Sequence, residues 1–197
     1  YLAWKQLGEE LEITFDREFN ETLKGVSRMD SLERILELGN RQNDFTKKEK
    51  VTLATKKNDH YVDLIQEITP KDVLPGIKEF LQQLKDANFK IAMASASKNA
   101  FIVTESLGVQ HYFEHIVDAA KVKYSKPHPE VFLKAAEAIG VNPEKCIGVE
   151  DAQAGVTAIN EANMFSIAIG TDSGLNHANV VLNSTEELTL ELITNLK

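Results

Sequence analysis

Apolar residues recur along this chain at two different periods, and the change from one to the other falls near residue 72. In the opening stretch YLAWKQLGEELEI, residues Leu2, Ala3, Leu7, Leu11 and Ile13 return at the three- and four-residue spacing of one face of a helix. SRMDSLERILELG repeats the pattern with Leu32, Ile35, Leu36 and Leu38, with Ser27 or Asp30 suited to cap its start and Gly39 to stop it. KKEKVTLATKKNDHYVDLIQEI reads as a long, lysine-rich helix, and ITPKDVLPG then supplies two prolines and a glycine, the punctuation of a linker. Beyond the linker, helix and strand patterns alternate. GIKEFLQQLKDA, AFIVTESLG, PEVFLKAAEAIG and AGVTAINEAN read as helices; FKIAMAS, HIVDA, CIGVE, FSIAIG and NVVLN read as strands. Strands separated by helices of this length form βαβ units and a parallel sheet. The pattern predicts an α/β protein, with a helical domain over residues 1–72 and a Rossmann-like parallel-sheet core over residues 73–197.

An open parallel sheet binds ligands at the carboxyl ends of its strands, so the polar residues following each strand are the candidates for chemistry. KIAMA is followed by Ser95, Ser97, Lys98 and Asn99; HIVDAAKVKY by Ser125, Lys126 and Pro127; CIGV by Glu150 and Asp151. Adjacent carboxylates repel, and a nearby cation keeps both ionised. Hard oxygen donors with no His or Cys beside them suit Mg²⁺, which commonly uses one or two carboxylates plus substrate phosphate. A lysine at a neighbouring strand end would face the phosphate with positive charge. Each feature alone has a plainer reading. Asp151 could cap AGVTAINEAN, the serines could be turn residues, His128 a solvated loop residue, and most lysines of KKEK and TKKND a wet helix face, with Lys57 a possible exception. Trp4 and Phe19 are expected to pack between helices. The three strand ends together, in chain order, favour a metal that serves a phosphate.

Composition narrows the partners. The chain has 197 residues, 43% apolar and 26% charged, enough for a sizeable core, and a formal net charge of −8. That charge argues against nucleic acid as a partner, since phosphate backbones need a basic field. It leaves room for a small phosphorylated ligand held by a local cluster of cations. Cys146 is the only cysteine, so no intrachain disulfide can form, which fits a cytoplasmic location. No apolar run has the length of a membrane span.

The order of these motifs resembles the haloacid dehalogenase superfamily of phosphoryl-transfer enzymes over essentially the whole chain. LKGVSRMDSLERIL, KIAMASASKNA, SKPHPEVFLKAA and IGVEDAQAGVTAI are similar to its β-phosphoglucomutase branch. The resemblance implies a helical cap over a Rossmann-like core. It implies an activity that interconverts β-glucose 1-phosphate and glucose 6-phosphate through β-glucose 1,6-bisphosphate and a phospho-aspartyl enzyme. By that likeness Glu150 and Asp151 would ligate Mg²⁺, Lys126 would offset charge on the transferring phosphate, and Ser95 with the Ala96 amide would bind it. Arg28, Ser97, Lys98 and Asn99 would hold the second phosphate, and Lys24, Gly25, Val26 and Lys57 would lie around the sugar. Sugar phosphates would be the partners of what is expected to be a monomer. A phosphatase of the same fold, or a sugar-phosphate-binding protein without catalysis, are the rival readings.

One departure is marked. The family's nucleophile is an aspartate in a D-x-D-G motif ending the first strand, and no such motif occurs in this chain. Asp16 in ITFDREFN is the nearest candidate, but it lies between helices without a glycine turn and is rejected. The expected consequence is that a central strand, between those ending at Ser95 and at Glu150, is missing with its loop, roughly 15–20 residues at usual element lengths. Its loss would expose two inner sheet edges. This chain by itself is expected not to turn over, and the full-length protein is expected to be active.

Overall fold

The computed structural model describes residues 1–196. Four helices come first: α1 (Leu2–Glu10), α2 (Arg17–Glu21), α3 (Arg28–Leu38) and α4 (Lys47–Ile65). Trp4, Leu7, Leu32, Ile35, Leu36 and Ala54 close one apolar cluster between α1, α3 and α4, with Phe19 packed against it. Ser27 caps α3, accepting from the Asp30 amide, and Gly39 ends it. Two expectations fail at helix edges. Leu2 and Leu38 share the apolar spacing but stay exposed, one the first residue of α1 and the other the last of α3.

The second layer alternates as the pattern predicts: α5 (Ile77–Asp86), β1 (Ala92–Met93), α6 (Ala100–Ser106), β2 (His115–Ile116), α7 (Glu130–Ala138), β3 (Ile147–Glu150), α8 (Gln153–Glu161), β4 (Phe165–Ile169), β5 (Val180–Leu182) and α9 (Leu190–Asn195). All pairings are parallel. β3, β4 and β5 form one ladder, with Glu150 opposite Ala168, and β1 pairs with β2. α7 and α8 cover one face through Phe132, Ala135 and Ile159, while Phe80 of α5 and Ile193 of α9 cover the other against Ile167. Ser166, fully buried in β4, keeps its hydroxyl satisfied by exchanging hydrogen bonds with Asn179.

The two sheet segments do not meet. β1 has a partner only in β2, and β3 only in β4, and their free edges line a common apolar cleft of about 560 Å³. This is where the family resemblance implied a further strand, and no described residue runs between β1 and β3. FKIAMAS forms a ladder only at Ala92–Met93, paired with His115–Ile116 of β2. No helix among the described residues is long and apolar enough to cross a membrane.

Candidate functional site

The ends of β1 and β3, and the loop that carries Lys126, converge beneath the turn that joins α2 to α3. Lys126 is buried, 6% exposed; its ammonium donates to the Ala94 carbonyl at 3.2 Å and to Glu150 Oε1 at 2.6 Å, and lies over the Phe132 ring. Glu150 is the last residue of β3, and its other oxygen accepts the Asp151 amide at 3.0 Å. Gly155, in the first turn of α8, lets that carboxylate lie against the helix. A Cβ there would overlap Glu150 Oε1, Cγ and Cδ together. The plainer reading of Asp151 as a helix cap does not hold: the N-cap of α8 is Ala152, without a side-chain bond. Asp151 instead reaches across to Lys24, whose ammonium donates to it at 3.1 Å and sits 2.7 Å from Glu21. Burial works against the charge on Lys24, but its two carboxylate partners raise its pKa above the usual lysine value.

Gly25 explains how closely the helical layer approaches here. Its φ of +73° is in the left-handed region, and a Cβ would stand 3.4 Å from Ala152 and 3.5 Å from Lys126. Val26 is buried behind it. A second tie joins the layers nearby: Asp30 of α3 accepts the Ser125 and Ser27 hydroxyls, each at 2.6 Å. Partial burial opposes its ionisation, yet these hydroxyls hold the Asp30 carboxyl below its ordinary pKa. Ser95, Ala96, Ser125, Lys126 and His128 line an open cleft of about 770 Å³ with Ser27 and Asp30 on its opposite wall. His128 is an exposed loop residue, as its sequence setting suggested, with its ring 4.6 Å from that of the exposed Tyr124.

Most of the remaining candidates form a second cluster. Ser95 Oγ accepts the Ser97 amide and Ser97 Oγ accepts the Asn99 amide, both at 3.1 Å, so the SASKN turn is wound by its own hydroxyls. Asn99 is buried, and its side-chain amide donates to Asn58 Oδ1 at 3.0 Å. Arg28, the first residue of α3, donates to the same oxygen at 2.6 Å. Burial lowers the Arg28 pKa, opposed by Asp59. Lys57 stands apart from the other lysines of α4: its ammonium lies 4.4 Å from the Trp4 ring and 4.8 Å from the Tyr61 ring. Burial, with the Arg28 charge beside it, lowers its pKa to about 8. Lys98 is exposed and joins neither cluster.

Comparison with known proteins decides the family. The pattern of the haloacid dehalogenase-like hydrolases matches residues 2–163. The chain belongs to that family. Within the family, it is 44% identical over 193 residues to the β-phosphoglucomutase of Bacillus subtilis, covering 98% of this chain and 85% of that protein. The crystal structure of a β-phosphoglucomutase from Clostridium difficile superposes with a TM-score of 0.95 at 51% identity, covering 99% of this chain and 87% of that one. Similarity to hexitol phosphatase B of Escherichia coli is narrower, 33% identity over 135 residues, or 65% of this chain and 60% of that protein.

Asp16, rejected from sequence as a nucleophile, caps α2 by accepting the Phe19 amide at 2.8 Å. Sequence reasoning missed Asn58 and the roles of Asp30 and Gly155. Gly155 had a signal, since a small pair follows closely on the two acids. Asn58 had none, because its partners lie 30 and 41 residues away.

Proposed function

We propose that the protein is a phosphomutase that interconverts β-glucose 1-phosphate and glucose 6-phosphate, with β-glucose 1,6-bisphosphate as its intermediate. The observation that carries this reading is the 44% identity to the Bacillus subtilis β-phosphoglucomutase over 98% of the chain. The geometry supports it. A mutase binds its bisphosphate in two orientations and so requires two phosphate sites, and the candidate residues other than Lys98 gather into two clusters that span both layers.

At the first cluster, the Ser95 hydroxyl and the Ala96 amide would hold the transferring phosphate. Lys126, fixed by Glu150 and the Ala94 carbonyl, would present a positive charge to it. Glu150 and Asp151 would hold Mg²⁺; two hard carboxylates suit that ion, although no group of three ligating side chains occurs among the described residues. Bound there, the ion would neutralise charge on the transferring phosphoryl group. At the second cluster Arg28, Ser97 and Asn99 would bind the non-transferring phosphate, the guanidinium through paired N–H bonds, and Lys98 would join them from the exposed side of the same turn. Lys24, Gly25, Val26 and Lys57 would border the sugar. Residues 1–72 would act as the cap: Lys24, Asp30 and Asn58 already bond across to residues of the second layer. Such closure excludes water, and water exclusion separates a mutase from a phosphatase. The single reduced Cys146 supports a cytoplasmic setting.

The test is the full-length protein, incubated with β-glucose 1-phosphate, Mg²⁺ and catalytic β-glucose 1,6-bisphosphate. Glucose 6-phosphate should form with little inorganic phosphate. Stoichiometric phosphate release without isomerisation would replace this reading by the phosphatase one, and binding without either product by the non-catalytic one.

A further inference from the structure

Asn58 joins three elements through one atom. It lies on α4, and its Oδ1 accepts Arg28 Nη2 from the start of α3 and Asn99 Nδ2 from the turn before α6, at 2.6 and 3.0 Å. Two donors on one oxygen fix the carboxamide, since the flipped form would set its own N–H groups against both and lose both bonds. The turn that carries Asn99 is wound separately, the Asn99 backbone amide bonding Ser97 Oγ and the Ser97 backbone amide bonding Ser95 Oγ. Asn58 therefore ties the Arg28 guanidinium in the helical layer to a turn at the end of β1 that is held in shape by its own hydroxyls.

The chemistry of the acceptor matters as much as its place. Asn58 is neutral, so it orients the partly buried Arg28 without cancelling its charge. The neighbouring Asp59 gives Arg28 no hydrogen bond, and acts on it only as a nearby charge. A carboxylate at position 58 could accept the same two bonds, but it would neutralise the cation an incoming phosphate must meet. Two donors sharing one oxygen are also close enough together to reach two oxygens of one phosphate.

We infer that Asn58 is a positioning residue, which holds Arg28 and Asn99 side by side across the two layers so that both can grip a single phosphate group. This rests on the proposed reading of that cluster as the non-transferring phosphate site. It adds to that reading the residue that builds the site before the ligand arrives, and a specificity device: an amide where an acid of the same shape would repel the ligand.

The experiment measures binding of glucose 6-phosphate by calorimetry to the full-length protein and to its Asn58→Ala, Asn58→Asp, Arg28→Ala and Asn58→Ala/Arg28→Ala variants, each checked for folding by urea denaturation. Asn58→Ala should weaken binding by about tenfold, the size of one lost hydrogen bond to a charged group, and should raise KM more than it lowers kcat. Asn58→Asp should fold at least as stably as the parent yet bind more weakly than Asn58→Ala. In the Arg28→Ala background the effect of Asn58→Ala should largely vanish, because the two residues act as one unit. Affinity of Asn58→Ala within twofold of the parent would overturn the inference. So would an undiminished loss in the Arg28→Ala background, or tighter binding by Asn58→Asp. If the protein binds glucose 6-phosphate with this coupling but does not isomerise it, the mutase reading fails and the role of Asn58 stands. If it isomerises the sugar phosphate without the coupling, the mutase reading stands and the role of Asn58 fails.

Discussion

Gly155 is the third residue of α8, a position where replacing glycine by alanine ordinarily strengthens a helix by about 1 kcal/mol. Here the opposite sign is expected. The new Cβ would overlap not only the Glu150 Oε1 tip but also Cγ and Cδ, so rotating the terminal carboxylate cannot relieve it. The side chain would have to leave, giving up its 2.6 Å bond to Lys126 and its 3.0 Å bond to the Asp151 amide. The side chains of Lys126 and Glu150 are 6% and 12% exposed, so this is a buried ion pair rather than a surface one. Removing one partner of a buried pair costs about 3–5 kcal/mol, because the other charge is left without compensation. Set against the helix gain, Gly155→Ala should destabilise the protein by about 2–4 kcal/mol. Urea denaturation of the full-length protein reads this directly as a lowered midpoint at unchanged slope. In a Lys126→Met background no ammonium is stranded, and the penalty should shrink. A Gly155→Ala variant as stable as its parent, or more stable, would refute this reasoning and mean that Glu150 has another resting place.

Two further outcomes follow from burial. Lys57 titrates near pH 8 in the folded protein and near its ordinary 10.5 when unfolded. Between those values the unfolded chain carries a proton the folded one has released, so stability attributable to this residue rises with pH across that window. The urea midpoint of the parent relative to Lys57→Met should increase from about pH 8 to about pH 10, and a flat difference would show that Lys57 is not buried as described. Ile35 is wholly inaccessible at the centre of the cluster between α1, α3 and α4. Ile35→Ala should cost about 2–5 kcal/mol by the same denaturation assay, and a loss below about 1 kcal/mol would mean that the helical layer closes over the gap.

Much of the fold was legible because it rests on local periodicity. The switch of pattern near residue 72, the parallel alternation beyond it, the Ser27 cap and the run of polar strand ends all depend on residues a few positions apart. Composition and charge likewise needed no coordinates. The pattern failed where local spacing meets a boundary. Leu2 and Leu38 have the right period but no neighbour to cover them. FKIAMAS has the composition of a full strand, but β2 offers it a partner at only two residues, Ala92 and Met93.

The candidate site was legible as a set of residues and not as an arrangement. Strand ends named Lys126, Glu150, Asp151 and Asn99, and the family resemblance added Arg28; neither could say that Lys126 directs its charge to Glu150, that Asp151 faces Lys24 instead of capping α8, or that Lys98 stands apart. Those outcomes turn on contacts between residues 24 to 127 positions apart, and they are set by how α2 and α3 lie over the strand ends. Asn58 is the clearest case. Nothing in TKKND distinguishes it, and its meaning arises only when α3 and the SASKN turn bring two donors to one oxygen. The sequence by itself determined which elements form and which chemical groups stand at their ends, because helix and strand periods are short-range. Tertiary packing alone decided which charges are paired, buried or left facing the cleft, because those depend on distances that no local spacing encodes.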